Sequence, residues 1–572
     1  MRSASERLIE TIRAAIIGDD EIIETPFGPR RVIYADYTAS GRSLSFIEDF
    51  LRGEVMPLYG NTHTETSAAG LQTTRYREDA RRIIKESCGG DERDAVIFCG
   101  SGATGAIHKL ASVLNIAVPS ELDARYRLSD HVPRQERPVV FIGPYEHHSN
   151  ELVWRESLAD VVTIGEDADG RIDLSMLENA LVAHRDRPLK IGSFSAASNV
   201  TGIASDCRAV ATLLHRHDAL SFWDFAAAGP YVDIDMNPKD EPLAAKDAVF
   251  LSPHKFIGGP GTPGVLIAKR ALFANRVPTV PGGGTVRFVN SATHEYLDDP
   301  EVREEGGTPA ILESIRAGMV FQLKQAVGTE AIRAREEDFV RRAIARWSRS
   351  KKIEILGSHT AERLSIVSFV VRHGGKYLHH NFVAQLLNDL FGIQARAGCS
   401  CAGPYGHRLL GIDLERSQAF EEAILGGCES IKPGWARVNF NYFISETVFS
   451  YLLEAVELVA EHGHRLLSRY ELDVVSGRFT VRGAKPPALR RLSELSYEGG
   501  KPSYRVRHAT EPESVLPGYL EEARRILTAP PIDLDPRDPI PPPGFELLRW
   551  FVLPSEAARE VTGSGWVQGA EI

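Results

Sequence analysis

Seven short apolar runs, separated by helical patterns, fill the stretch from about residue 95 to residue 270. They are AVIFC (95–99), PVVFIG (138–143), VVTIG (161–165), LKIGSFS (189–195), LSFWDF (220–225), AVFLS (248–252) and GVLIAK (264–269). Each is rich in β-branched and aromatic residues and apolar on both faces, the signature of strands sandwiched between helices. Helix-like stretches such as TGAIHKLASVLNI, LSMLENALVAHRD and CRAVATLLHRHD lie between several of them. Strands alternating with helices predict an α/β large domain with a mostly parallel seven-stranded sheet flanked by helices.

After residue 310 the pattern changes. ILESIRAGMVFQLKQAV and EAIRAREEDFVRRAIARWSRS are helical, and shorter strands follow (IEIL, SIVSFVV, ARVNFNYF) before a last long helix, ETVFSYLLEAVELVAEHGHRLLS. This predicts a smaller α+β domain. The expected organisation is an N-terminal segment (1–44) joining the small domain, a large domain (45–319), a small domain with a cysteine loop (320–467) and a C-terminal extension (468–572). The stretch APPIDLDPRDPIPPPG within that extension is expected to be extended and semi-rigid. The arginines Arg490, Arg491, Arg505 and Arg507 read as a solvated face rather than a binding surface.

Bulk properties exclude several classes of function. A net charge of -11 argues against a broad electrostatic grip on nucleic acid. No run of 18 apolar residues occurs, and the first residues lack the apolar core of a signal peptide, so no membrane contact and a cytoplasmic location are expected. Six cysteines in 572 residues are too few for a disulfide-stapled fold, and no cysteine spacing resembles a four-ligand zinc site, so no metal is expected. The pair Cys399 and Cys401 stands out by its closeness.

The candidate chemistry lies at strand ends. Asp224 closes one apolar run, and Ser252, His254 and Lys255 close the next, which places carboxylate and amine at carboxyl ends of neighbouring strands, where open α/β sheets hold ligands. Taken singly, Lys255 reads as a surface lysine and Asp224 as a turn cap. As a pair they suit a pyridoxal 5'-phosphate (PLP) site: a desolvated lysine is a nucleophile toward aldehydes, and an aspartate keeps a pyridine nitrogen protonated. Upstream, Gly100-Ser101-Gly102-Ala103-Thr104-Gly105 between a strand and a helix suits a phosphate cradle. EHHSN contributes His147, able to stack on a flat ring or cap a helix, and SNVTG places Asn199 at another strand end.

The ordered set GSGATG, EHHSN, SNVTG, WDF, SPHK, GGTP, RAGCSCAGP and RVNF resembles the class V aminotransferase-like PLP enzymes of fold type I, nearest their cysteine desulfurase and selenocysteine lyase branch. The match runs from YADYTAS near residue 34 to about residue 462. The resemblance implies that Lys255 holds PLP, Asp224 pairs with its ring nitrogen, and His147 stacks on the ring and serves in acid–base steps. Asn199 would face the ring hydroxyl, while Ala103, Thr104, Ser252 and His254 would bind the phosphate. Thr308 would reach the phosphate of a neighbouring subunit, implying a homodimer. Arg437 would clamp the substrate carboxylate, with Arg396 at the start of the cysteine loop, and Cys401 would take sulfur from L-cysteine as a persulfide and pass it to a sulfur-acceptor protein. Gly398 and Gly403 are expected to give that loop mobility. Two positions depart from the family: Ala227 stands where a glutamine is usual, and Cys399 where the nearest desulfurases have histidine. The readings kept beside desulfuration are another class V enzyme (aminotransferase, epimerase or β-lyase) that does not need Cys401, and a non-catalytic scaffold.

Overall fold

In the computed structural model of the protein, which describes residues 3–62, 64–485, 488–530, 538 and 544–562, the seven apolar runs form one sheet. Its strands are β1 (Asp94–Cys99), β2 (Val139–Ile142), β3 (Asp160–Thr163), β4 (Lys190–Ser195), β5 (Leu220–Asp224), β6 (Ala248–Leu251) and β7 (Gly264–Lys269). Their order across the sheet is β1-β7-β6-β5-β4-β2-β3, and all pairings are parallel except the two made by β7. Every residue of β1, β2, β4 and β6 is buried, as expected for strands covered on both faces. The expected mostly parallel sheet is thus present, with one reversed strand that the apolar pattern could not disclose, because a buried strand has the same composition in either direction.

Helix Ile311–Val327 coincides with its predicted span and ends at Gly328, whose φ of +84° suits glycine. Helix Thr329–Trp347 leads into a five-stranded antiparallel sheet: β8 (Ile353–Ile355), β9 (Ile366–His373), β10 (Lys376–Leu378), β11 (Arg396–Gly398) and β12 (Trp435–Asn439). The N-terminal segment divides its contacts. Helix Ala4–Ala15 packs on helix Ile311–Val327, whereas Ile33–Tyr34 pairs in parallel with Ile393–Gln394 beside the small sheet.

Much of the extension beyond residue 468 is packed. Helix Leu516–Thr528 buries Leu516, Ala523 and Leu527 against helix Glu446–His462, in one apolar cluster with Trp347 and Phe369. Tyr519 Oη accepts the backbone N–H of Arg31 at 3.1 Å, and the Arg30 guanidinium lies 4.9 Å over the Tyr519 ring and 2.9 Å from Glu522. Among the arginines of the extension, Arg490 pairs with Glu21 and Arg507 with Glu494 at the surface. Most of the proline-rich stretch lies outside the described residues.

Leu527 is fully buried, so Leu527→Ala is expected to cost about 2–5 kcal/mol of stability by lost apolar contact and cavity formation. A fall in the thermal midpoint checks it; an unchanged midpoint would mean that this helix is only loosely docked.

Candidate functional site

The carboxyl ends of β4, β5 and β6 meet the loops after β1, β2 and β11 around a cavity of about 250 Å³. Ala103, Thr104, His147, Asn199, Asp224, Ser252, His254, Lys255, Cys401 and Arg437 all line it, joined by Ala227 and Arg396. Thr308 does not; it is exposed, and its hydroxyl accepts from Asn61 Nδ2 at 3.3 Å.

At one end, β1 turns through Gly102 (φ +56°) into helix Gly102–Val113. A Cβ at Gly102 would lie 2.8 Å from both Ser252 Oγ and His254 Cε1, so only glycine lets the helix start approach the turn after β6. The Ala103 N–H donates to Ser252 Oγ at 2.8 Å, and the Thr104 and Ser149 hydroxyls are 2.6 Å apart. Backbone N–H groups and hydroxyls at a helix N-terminus form an anion cradle.

At the other end lie the ionisable groups. Lys255 ends the short turn Pro253–Lys255 after β6, and burial lowers its ammonium to about 8, with Asp224 opposing that fall. Burial raises the Asp224 carboxyl, although the Ala226 N–H donates to its Oδ1 at 2.8 Å. Burial and the Lys255 charge push His147 down to about 3, leaving it neutral. Its Nδ1 accepts from the Ser149 N–H at 3.1 Å, which assigns the proton to Nε2.

Arg437, on β12, is buried; it donates to Asn199 O at 2.8 Å and pairs with Asp36 Oδ1 at 2.8 Å. Asn199 donates to Ser400 O at 2.8 Å, while its Oδ1 is buried with no hydrogen-bond partner among the described residues. A buried amide oxygen without a donor is costly, which marks the place of a missing group.

Ser400 and Cys401 both adopt left-handed backbone (φ +51° and +57°), at a cost on the order of 1–2 kcal/mol each. His148 holds them there. Its N–H donates to Cys401 O at 2.9 Å, and its Nε2 accepts from the Gly403 N–H at 3.0 Å. The mobility expected from the flanking glycines is therefore opposed by Asn199 at Ser400 O before the cysteine and by His148 at Cys401 O and the Gly403 N–H after it.

Residues 33–413 match the family described as aminotransferase class-V. The chain belongs to that family. This class-V protein is 27% identical over 379 residues to a probable cysteine desulfurase of Streptomyces coelicolor, covering 65% of this chain and 84% of that one. It is 25% identical to a probable cysteine desulfurase of Halobacterium salinarum, covering 72% and 92% respectively. Among solved structures, the apo cysteine desulfurase of Thermococcus onnurineus matches with a TM-score of 0.60 at 22% identity, over 75% of this chain and 95% of that one. The fold is that of the PLP fold type I enzymes, and the protein is an enzyme of this PLP-dependent kind.

PLP fits the residues present. The cradle at Gly102 and Ser252 suits its phosphate, the buried Asp224 suits its ring nitrogen, the buried Lys255 amine suits its aldehyde, and the unsatisfied Asn199 Oδ1 suits its hydroxyl. In the cofactor-free protein, Lys255 is expected to titrate near 8 instead of 10.5. That makes its neutral, nucleophilic fraction at pH 7 roughly 300-fold larger than for an ordinary lysine, and about half of it is neutral at pH 8. Carbon NMR of reductively methylated wild type against Lys255→Ala identifies the resonance; a midpoint above 10 would contradict the burial argument.

Three site residues escaped the sequence reading. Asp36 sits in YADYTAS, but its pairing with Arg437 spans 401 positions. His148 follows His147 in EHHSN, and its two bonds to the cysteine loop join segments more than 250 positions apart. Glu146, beside them, is buried and raised to about 7; it accepts from the Ser195 N–H (2.9 Å), Ser195 Oγ (2.6 Å) and Asn150 Nδ2 (2.7 Å), tying the ends of β2 and β4 beneath the His147 loop. A glutamate between turn residues carries no local signal of burial.

Proposed function

We propose that the protein is a cysteine desulfurase that converts L-cysteine to L-alanine and leaves the sulfur as a persulfide on Cys401. The observation that carries this reading is the placement of Cys401 in the same cavity as Lys255, Asp224 and Arg437, on a loop clamped by His148. The curated relatives named probable cysteine desulfurase support it.

Bound PLP supplies an electron-withdrawing ring that stabilises negative charge at the substrate α-carbon. Arg437 offers its remaining N–H groups to the substrate carboxylate, with Asp36 and Asn199 O fixing its fork. Lys255 Nζ takes the α-proton. His147, neutral with its proton on Nε2, lines the same cavity and can donate that proton. The Cys401 thiolate attacks the substrate sulfur; the carbon–sulfur bond breaks, its electron pair stays with carbon, and a proton completes alanine. Cysteine plus enzyme thiol thus gives alanine plus enzyme persulfide, with carbon reduced and sulfur oxidised and no outside oxidant.

A homodimer in which the exposed Thr308 completes the partner subunit's phosphate cradle accounts for its position outside the cavity of its own chain. Delivery of the sulfur to an acceptor protein, by way of Cys399 or directly, belongs to this reading. So does a cytoplasmic location, in keeping with six unpaired cysteines and with the finding that no described helix is long and apolar enough to cross a membrane.

A second reading is favoured by Ala227, whose methyl lines the cavity at the family glutamine's position: another class V reaction, with Cys401 a bystander. The test is incubation of the purified protein with L-cysteine, followed by alanine quantitation and mass analysis of the Cys401 peptide. Alanine with one added sulfur on that peptide supports desulfuration. Pyruvate and ammonia, or turnover of other amino acids alone, would replace it with the second reading.

A further inference from the structure

Far from the cavity in the chain's layout, three elements converge at the edge of the small sheet. Strand β9 ends in His373. Helix Glu446–His462 runs on into the tight turn Gly463–Arg469, which carries His464. Helix Pro554–Thr562, the last described element, carries Glu560. One ligand atom from each of the three side chains lies within 4.8 Å of the others.

The two imidazoles stack with centroids 4.3 Å apart and planes 23° from parallel. His373 Nε2 is 2.6 Å from Glu560 Oε2, and the His373 side chain is only 9% exposed. His464 Nδ1 is buried with no hydrogen-bond partner among the described residues. A stacked imidazole pair with an unsatisfied nitrogen is a poor end state for a protein interior, since a buried polar atom without a partner costs about 1–3 kcal/mol.

We infer that His373, His464 and Glu560 form a binding site for a divalent transition ion of the zinc type, which pins the final helix to the small sheet. Two imidazole nitrogens and one carboxylate oxygen form a borderline donor set that selects such ions over calcium or magnesium, and three protein ligands leave room for water. The nearby cation Lys352 is already engaged by Glu461, through its backbone oxygen at 3.0 Å and its carboxylate at 2.9 Å. Ions bound only by the folded chain stabilise it, so the site would act as a staple for the extension.

The sequence spacing could not reveal this group, because its members lie on three distant segments and no cysteine takes part. The experiment uses the full-length holoenzyme freed of metal by chelator dialysis, with Zn²⁺ and Co²⁺ as probes. One equivalent of Zn²⁺ is expected to bind and raise the thermal midpoint of wild type, with affinity falling at least about tenfold in both His464→Gln and the milder, surface-exposed Glu560→Gln. The bound Co²⁺ spectrum should lack the strong near-ultraviolet band of thiolate ligation. Failure of wild type to bind, equal binding by wild type and Glu560→Gln, or a thiolate band at the one site would each overturn the assignment, leaving a simple hydrogen-bonded contact between His373 and Glu560.

Discussion

The Lys255→Ala protein is expected to lose turnover of L-cysteine by at least about 10³-fold, together with the visible absorbance of lysine-bound cofactor. The reason is local. Lys255 is the amine that shares the cavity lining with Asp224, held down to about 8 by burial, and no other lysine among the described residues lines that space. Lys255→Arg is expected to fail equally, because a guanidinium stays protonated and cannot take a proton from carbon. That control separates loss of chemistry from loss of positive charge. Absorbance spectra and alanine formation on matched, folded samples decide the matter. Turnover at wild-type rates in either variant would remove Lys255 from the reaction.

The second large effect is expected at Cys401. Cys401→Ala should keep the cofactor absorbance and still bind L-cysteine, yet release alanine at least about 10³-fold more slowly, since the group that accepts sulfur is gone. Loss of activity with the cofactor retained distinguishes it from Lys255→Ala. Undiminished sulfide release from Cys401→Ala would end the persulfide route and leave the second class V reading. The surrounding backbone sharpens the expectation: His148 holds the Cys401 carbonyl and the Gly403 N–H, backbone contacts that alanine keeps, so the substitution removes sulfur without rebuilding the loop.

The large sheet was legible because strands buried on both faces must be apolar throughout, and the predicted strand ends differ from the observed ones by no more than two residues. Lys255 and Asp224 were legible for a related reason: polar residues that close apolar strands sit at the ligand-binding edge of such a sheet. What escaped depends on contacts between distant segments. The Asp36–Arg437 pair, the His148 hold on the cysteine loop and the Glu146 network exist only after folding, and each joins residues whose local sequences are unremarkable. The packing of the extension escaped likewise, since Leu516, Ala523 and Leu527 form a short amphipathic helix amid polar and proline-rich neighbours.

The reversed strand β7 lies between β1, which leads into the phosphate cradle, and β6, which leads into Lys255. The Ala103–Ser252 hydrogen bond therefore links the ends of two strands that are neighbours of β7 and not of each other, while the carboxylate clamp joins Arg437 of the small sheet to Asp36. Every residue that fits the cofactor within one chain thus lies between Gly102 and Lys255, in the first half of the sequence, whereas the arginine that fits the substrate carboxylate lies in the last quarter. Holding the vitamin and holding the amino acid are divided between the two domains, so relative movement of the domains would alter the second grip and leave the first intact.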